Sequence, residues 1–262
     1  MLVRHPLRLA AGVAAAVALT GATVFPAAGV AAECGTRGTD CKWVATWATS
    51  PTAATPARLA APDDFSSAGF DDQTIRDLVW TSAGGQAARI SLSNRFGTRP
   101  VTFSEVDIGI SAGGPLIFLG TDHRVTFAGR TSVTIAPGAF AVSDPVGMAV
   151  PAETELAISL YASGPTGPAT YHSDVQQISY VSARGNYAAR ESAGGFVTTS
   201  QHWYFLAEVD VQVGAAAGGT IVAFGDSITD GWRSTVSTND RWPNDLARRL
   251  LAGPQGQPHL DR

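Results

Sequence analysis

The chain has 262 residues, 45% of them hydrophobic and 15% charged, which places it among folded globular proteins and excludes a disordered one. Its 28 glycines and 15 prolines recur without a fixed period, so they mark turns and exclude a collagen-like repeat. The formal net charge is −4 and Lys42 is the only lysine, so no basic cluster offers a footprint for nucleic acid.

At the N-terminus, Arg4, His5 and Arg8 precede an apolar run, Leu9–Leu19, and small residues then lead to Val30-Ala31-Ala32. That order is expected of a secretory signal peptide spanning 1–32, with cleavage after Ala32 and a secreted product. The competing reading is an uncleaved anchor, but the apolar run is shorter than the roughly 20 residues that cross a bilayer. No stable membrane anchor is therefore expected. Glu33 stands where lipid attachment at Cys34 would want a small residue. Cleavage would leave 16 basic against 22 acidic residues.

In residues 33–42, Cys34 and Cys41 enclose the turn-rich GTRGTD and are the only cysteines. An oxidising compartment lets them pair as a disulfide, worth at most about 2–3 kcal/mol for so short a loop. Two cysteines alone do not make a structural zinc site, and no metal is expected.

From 43 to 213 the sequence predicts one β-rich domain. Strand-like runs cover 43–49, 75–82, 88–94, 101–110, 123–127, 132–135, 155–162 and 204–213. In the last of these Leu206, Val209, Val211 and Val213 are interspersed with Glu208, Asp210 and Gln212. Turns are marked by Gly113-Gly114-Pro115, Pro137-Gly138, Gly164-Pro165 and Gly194-Gly195. Many short antiparallel strands at this spacing predict an all-β sandwich or jelly roll.

The small-residue run 214–219 looks like a linker, and beyond it the pattern changes. TIVAFG (220–225) is a continuous apolar run of the kind buried on both faces of a parallel sheet. After a loop, RWPNDLARRLLA (241–252) has Trp242, Leu246, Arg249 and Leu250 on one helical side, with Pro243 in the first turn. Strand, loop and helix open an α/β unit over 220–262. One strand and one helix cannot cover their own apolar faces, so the chain is expected to be a fragment of a longer protein.

Between the predicted strand and helix stand Gly225-Asp226-Ser227. A serine at the end of a buried strand is exposed to substrate and lies beside free backbone N–H groups, two requirements for a nucleophile. Gly225 permits a close turn, and Asp226 and Asp230 are expected to accept backbone N–H bonds within the loop. Other motifs do not fit. Thr229 stands where an α/β-hydrolase elbow needs glycine, Ile228 cannot ligate calcium, and no P-loop is present.

The block TIVAFGDSITDGW resembles the first conserved block of the GDSL or SGNH hydrolase family, and the resemblance extends from Thr220 to about Leu251. More loosely, the layout resembles secreted bacterial members with a β-rich N-terminal domain beginning near WVATWATSP and containing SNRFG. The resemblance implies a serine esterase or lipase with a flavodoxin-like α/β/α domain and no cofactor. It implies Ser227 as nucleophile and one oxyanion donor, supported by Gly225 and Asp226, acting on an ester of a lipid or an acylated carbohydrate. The family's other blocks supply a glycine N–H, an asparagine amide in Gly-x-Asn-Asp, and an Asp-x-x-His pair. None of the five histidines has an aspartate three residues earlier, and Asn239-Asp240 and Asn244-Asp245 lack the preceding glycine. The chain is therefore expected to hold the nucleophile without its base, and to be inactive alone.

Trp43, Trp47, Trp80, Trp203, Tyr171 and Tyr204 read as core residues, with a sugar-stacking face as the competing role. Trp232 either lines the substrate entrance or covers the helix. His123, His172 and His202 lack ligand spacing, and Asp63-Asp64 and Asp71-Asp72 read as solvated loop charge. The alternative to an enzyme is a secreted β-sandwich module that binds carbohydrate or lipid. Oligomeric state is not legible.

Overall fold

The computed structural model describes residues 41–215 and 217–253. The expected signal peptide at 1–32 lies outside the described residues. Cys41 is disulfide-bonded, and Cys34, the partner that the sequence offers, also lies outside them.

Among the described residues, fifteen strands precede two helices. The first six are β1 (Cys41–Ala48), β2 (Gln73–Trp80), β3 (Ala88–Ser93), β4 (Val101–Phe103), β5 (Glu105–Gly113) and β6 (Leu116–Ile117). Next come β7 (His123–Arg124), β8 (Val133–Ile135), β9 (Phe140–Val142), β10 (Glu155–Ala162) and β11 (Tyr171–His172). Then follow β12 (Ser179–Arg184), β13 (Phe196–Ser200), β14 (Trp203–Tyr204) and β15 (Leu206–Gly214). The helices are α1 (Ser227–Asp230) and α2 (Trp242–Ala252).

The strands build two main antiparallel sheets. One runs β1-β15-β3-β9; the other runs β13-β12-β2-β10-β5-β6, with β7 also on β5. Both sheets send side chains into a single apolar core: Ile90, Val209 and Val211 from the first, Ile75, Ile108, Leu156 and Ile158 from the second. Burying this much aliphatic surface is the main stabilising term, roughly 25 cal/mol for each Å² removed from water. The region is β-rich, as its turn spacing predicts.

Some predicted strands change partners midway. The run 101–110 divides at Ser104, because β4 pairs with β8 while β5 pairs with β10. The run 204–213 divides at Phe205, whose backbone turns left-handed (φ 59°) and donates to Thr170. Only His123–Arg124 of the run 123–127 is strand. The strands β6, β9, β11, β12 and β13 lie outside the predicted runs.

The segment after β15 departs furthest from expectation. Lys42 donates to Ala217 O and Thr220 Oγ1 donates to Ala45 O at 3.2 Å, so the linker is fastened along β1. Residues 220–225 are irregular and join no ladder, and Ile221, Val222 and Phe224 are 66%, 80% and 97% exposed. The predicted parallel strand is thus not formed among the described residues. A strand of that type needs neighbours on both edges, and every described pairing is antiparallel and made elsewhere. The predicted helix does form, as α2, with proline in its first turn. Its apolar side is only partly covered: no residue of α2 is fully buried.

Candidate active site

Ser227 opens α1 and is exposed. Asp226 caps the turn, its carboxylate accepting the N–H of Ile228 at 3.0 Å. Gly231 ends it in the left-handed region (φ 94°), its N–H returning to Ile228 O. A Cβ on Gly231 would stand 2.4 Å from Cγ of Arg241, so both backbone and space require glycine there. Gly225 and Asp226 are exposed like Ser227.

The serine turn is bound to the β-rich region. Nε2 of His172 lies 2.9 Å from Oδ1 of Asp230, and Nδ1 of the same ring lies 2.5 Å from the carbonyl oxygen of Ser50. The imidazole stacks on Trp203, with centroids 6.2 Å apart. Further along, Ser237 N donates to Gln176 O and Ile178 N donates to Ser237 Oγ. Asn239 Nδ2 reaches Glu155 Oε1 at 2.9 Å. Arg241 donates to Val175 O and lies 5.6 Å above the Trp203 ring, while Arg248 lies 5.2 Å above Trp80.

Burial lowers the proton affinity of His172, but the hydrogen bond and charge of Asp230, with the Ser50 carbonyl, outweigh it and leave the pKa raised. Arg241 works against them from the other side. Arg241 itself is lowered by burial, with Asp230 and Glu155 partly restoring it.

Asp230 was expected to hold its own loop, and it does not. Asp226 performs that task, and Asp230 is turned outward to the imidazole. Because His172 is engaged through both ring nitrogens, it offers none to Ser227. The amide of Asn239 is turned to Glu155, with one of its two N–H groups given to that carboxylate. Among the described residues, no histidine or carboxylate side chain is hydrogen-bonded to the exposed Ser227 hydroxyl. His5 and His259 lie outside the described residues.

Trp80, Trp203, Tyr171 and Tyr204 are buried core residues, and Trp43 and Trp47 are partly buried, so the six form no common exposed sugar-stacking face. Trp47 and Trp203 meet edge to face at 4.8 Å. Trp232 is 53% exposed. The four loop aspartates are not merely solvated. Asp63 Oδ2 accepts from Gln201 N, Asp64 accepts from Tyr171 and Ser66, Asp71 pairs with Arg184, and Asp72 accepts from Tyr161. Among the described residues no group of three or more His, Cys, Asp or Glu is placed to hold a metal ion. No helix among them is long and apolar enough to cross a membrane.

The contacts His172–Asp230 and Asn239–Glu155 join residues 58 and 84 positions apart, a separation that no local pattern announces. Compared with known proteins, the chain matches no family model and no curated protein.

Proposed function

We propose that the chain carries the nucleophile of a secreted serine ester hydrolase of the SGNH type. In this reading the β-rich region is a sandwich-like companion domain, and 220–262 begins the flavodoxin-like hydrolase domain. Ser227 Oγ attacks the ester carbonyl, the alcohol leaves with the serine proton, and water then frees the acid. The substrate class is an ester of a lipid or an acylated carbohydrate, and no cofactor takes part. One observation carries the reading: Ser227 stands exposed at the start of a capped turn, within the block GDSITDG that resembles the family's nucleophile motif. The base and the remaining oxyanion donors belong to blocks that the 262 residues do not contain.

The test supplies the missing base. Incubated with p-nitrophenyl acetate, the chain alone should turn over no faster than Ser227→Ala. With added imidazole, mass spectrometry should find an acetyl group on Ser227 and none at that position in the variant. Equal acylation of surface serines, with no preference for Ser227, defeats the proposal.

A second reading, a β-rich module that binds glycan or lipid, is favoured by an open groove of about 590 Å³. Its walls include Phe96, Phe140 and Val142, which are 42%, 49% and 53% exposed, with Arg95 and Glu208 alongside. Retention of the full chain on a glycan or liposome panel, lost on Phe140→Ser, would favour it over the enzyme.

A further inference from the structure

Resting on the assignment of Ser227 as nucleophile, we propose that His172 is a positioning residue for its turn: as an imidazolium clamped between Ser50 and Asp230, it fastens the serine turn to the β-rich region and releases it when the proton leaves. The partners decide the charge state. A carboxylate and a backbone carbonyl are both acceptors only, so a neutral imidazole, with one N–H, can satisfy one of them and not the other. The doubly protonated ring satisfies both.

The clamp is placed where it controls the turn. Asp230 is the last residue of α1 and Ser227 the first, so fixing the Asp230 carboxylate fixes the helical turn on which the serine stands. On the other side the ring is seated firmly, stacked on buried Trp203, and Ser50 follows the end of β1 by two residues. The charged groups facing the ring are Asp230 from α1 and Arg241 from the N-cap of α2. Asp230 holds the proton and Arg241 opposes it, which keeps the clamp from being permanent.

The direction of the pH response follows from linkage. Docking raises the imidazole pKa, so the clamp is fully present below the pKa of a free histidine and is lost as pH rises through the docked value. Each unit of that rise corresponds to about a tenfold change in the docking equilibrium.

Hydrogen exchange of the full chain, followed by peptide from pH 5 to pH 9 and corrected for intrinsic rates, tests this. In the wild type, protection of residues 226–232 should fall by about threefold or more as pH rises, with a midpoint matching the His172 titration seen by NMR. In His172→Gln and in Asp230→Asn that pH dependence should disappear, while β2 and β10 keep wild-type protection and report an intact fold. Loss of β2 and β10 protection in a variant shifts the decision to the wild-type titration. A His172 pKa at or below that of free imidazole, or an unchanged exchange profile in an intact His172→Gln, overturns the proposal. Acylation of Ser227 is a separate measurement: a failed clamp with Ser227 acylated leaves the hydrolase reading standing, and a working clamp without acylation removes only that reading.

Discussion

Asn239 donates from Nδ2 to Oε1 of Glu155 at 2.9 Å, tying the loop that follows the serine turn to the first residue of β10. Gln177 Nε2 donates to the same oxygen at 3.0 Å, so one carboxylate gathers two separate segments. Asn239 is buried and left-handed (φ 55°), a conformation asparagine tolerates better than most residues. Asn239→Ala is expected to lose a charge-assisted bond and to add backbone strain, together about 2–3 kcal/mol of local docking energy. Limited proteolysis should then cut between 231 and 241 faster than in the wild type, with the global unfolding midpoint little changed.

Arg76 is the largest fully buried side chain, and backbone carbonyls surround it. Its guanidinium donates to Pro115, Tyr187, Ala188 and Arg190 carbonyls and to Ser159 Oγ, and lies 4.3 Å above the Phe196 ring. Burial lowers its pKa to about 10, with Asp122 and Asp107 opposing the fall. A lysine has three donors on one atom and cannot reach this fan of acceptors. Arg76→Lys should therefore cost about 3 kcal/mol, a drop of roughly 6–12 °C in Tm by calorimetry.

Asp107 is 1% exposed, and among the described residues its Oδ2 has no hydrogen-bond partner. Burial raises its pKa to about 7, against the hydrogen bond from Arg124 and with help from Asp122. An acid with a raised folded pKa adds stability below its unfolded value, and that stability is lost as pH climbs through about 7. Asp107→Asn should stabilise the protein at pH 8 and flatten the decline in stability between pH 4 and 7. The gain should be about 1–2 kcal/mol, below the ceiling set by the shift, because the amide gives up the charge-assisted hydrogen bond from Arg124. Urea midpoints at pH 4, 6 and 8 measure it.

Much of the β-rich region was legible because its cause is local. The run 155–162 coincides with β10, and Leu156, Ile158 and Leu160 alternate inward as period two requires. The helix 241–252 was legible from Pro243 and the spacing of its apolar residues, one position off at the start. Sheet membership was not, since nothing near Ser104 says that the chain leaves one sheet for another there. The site divides in the same way. Ser227, with its capping aspartate and terminating glycine, is a matter of adjacent residues. The clamp is not: a histidine at a strand end and an aspartate in a turn gain meaning only when folding brings them to hydrogen-bonding distance. The run 220–225 failed differently, because its apolar letters specify a buried strand and burial is supplied by neighbours rather than by the run itself.

That run bears on how the protein behaves in concentrated solution. Thr220–Gly225 has no charge and no proline, with Ile221, Val222 and Phe224 turned to water, the composition from which cross-β contacts start. It lies beside β1, an outer strand of its sheet among the described residues, so two molecules meeting there bring an adhesive peptide to a sheet margin. Loss from solution is then expected to rise steeply with protein concentration, because the contact forms between molecules and not within one.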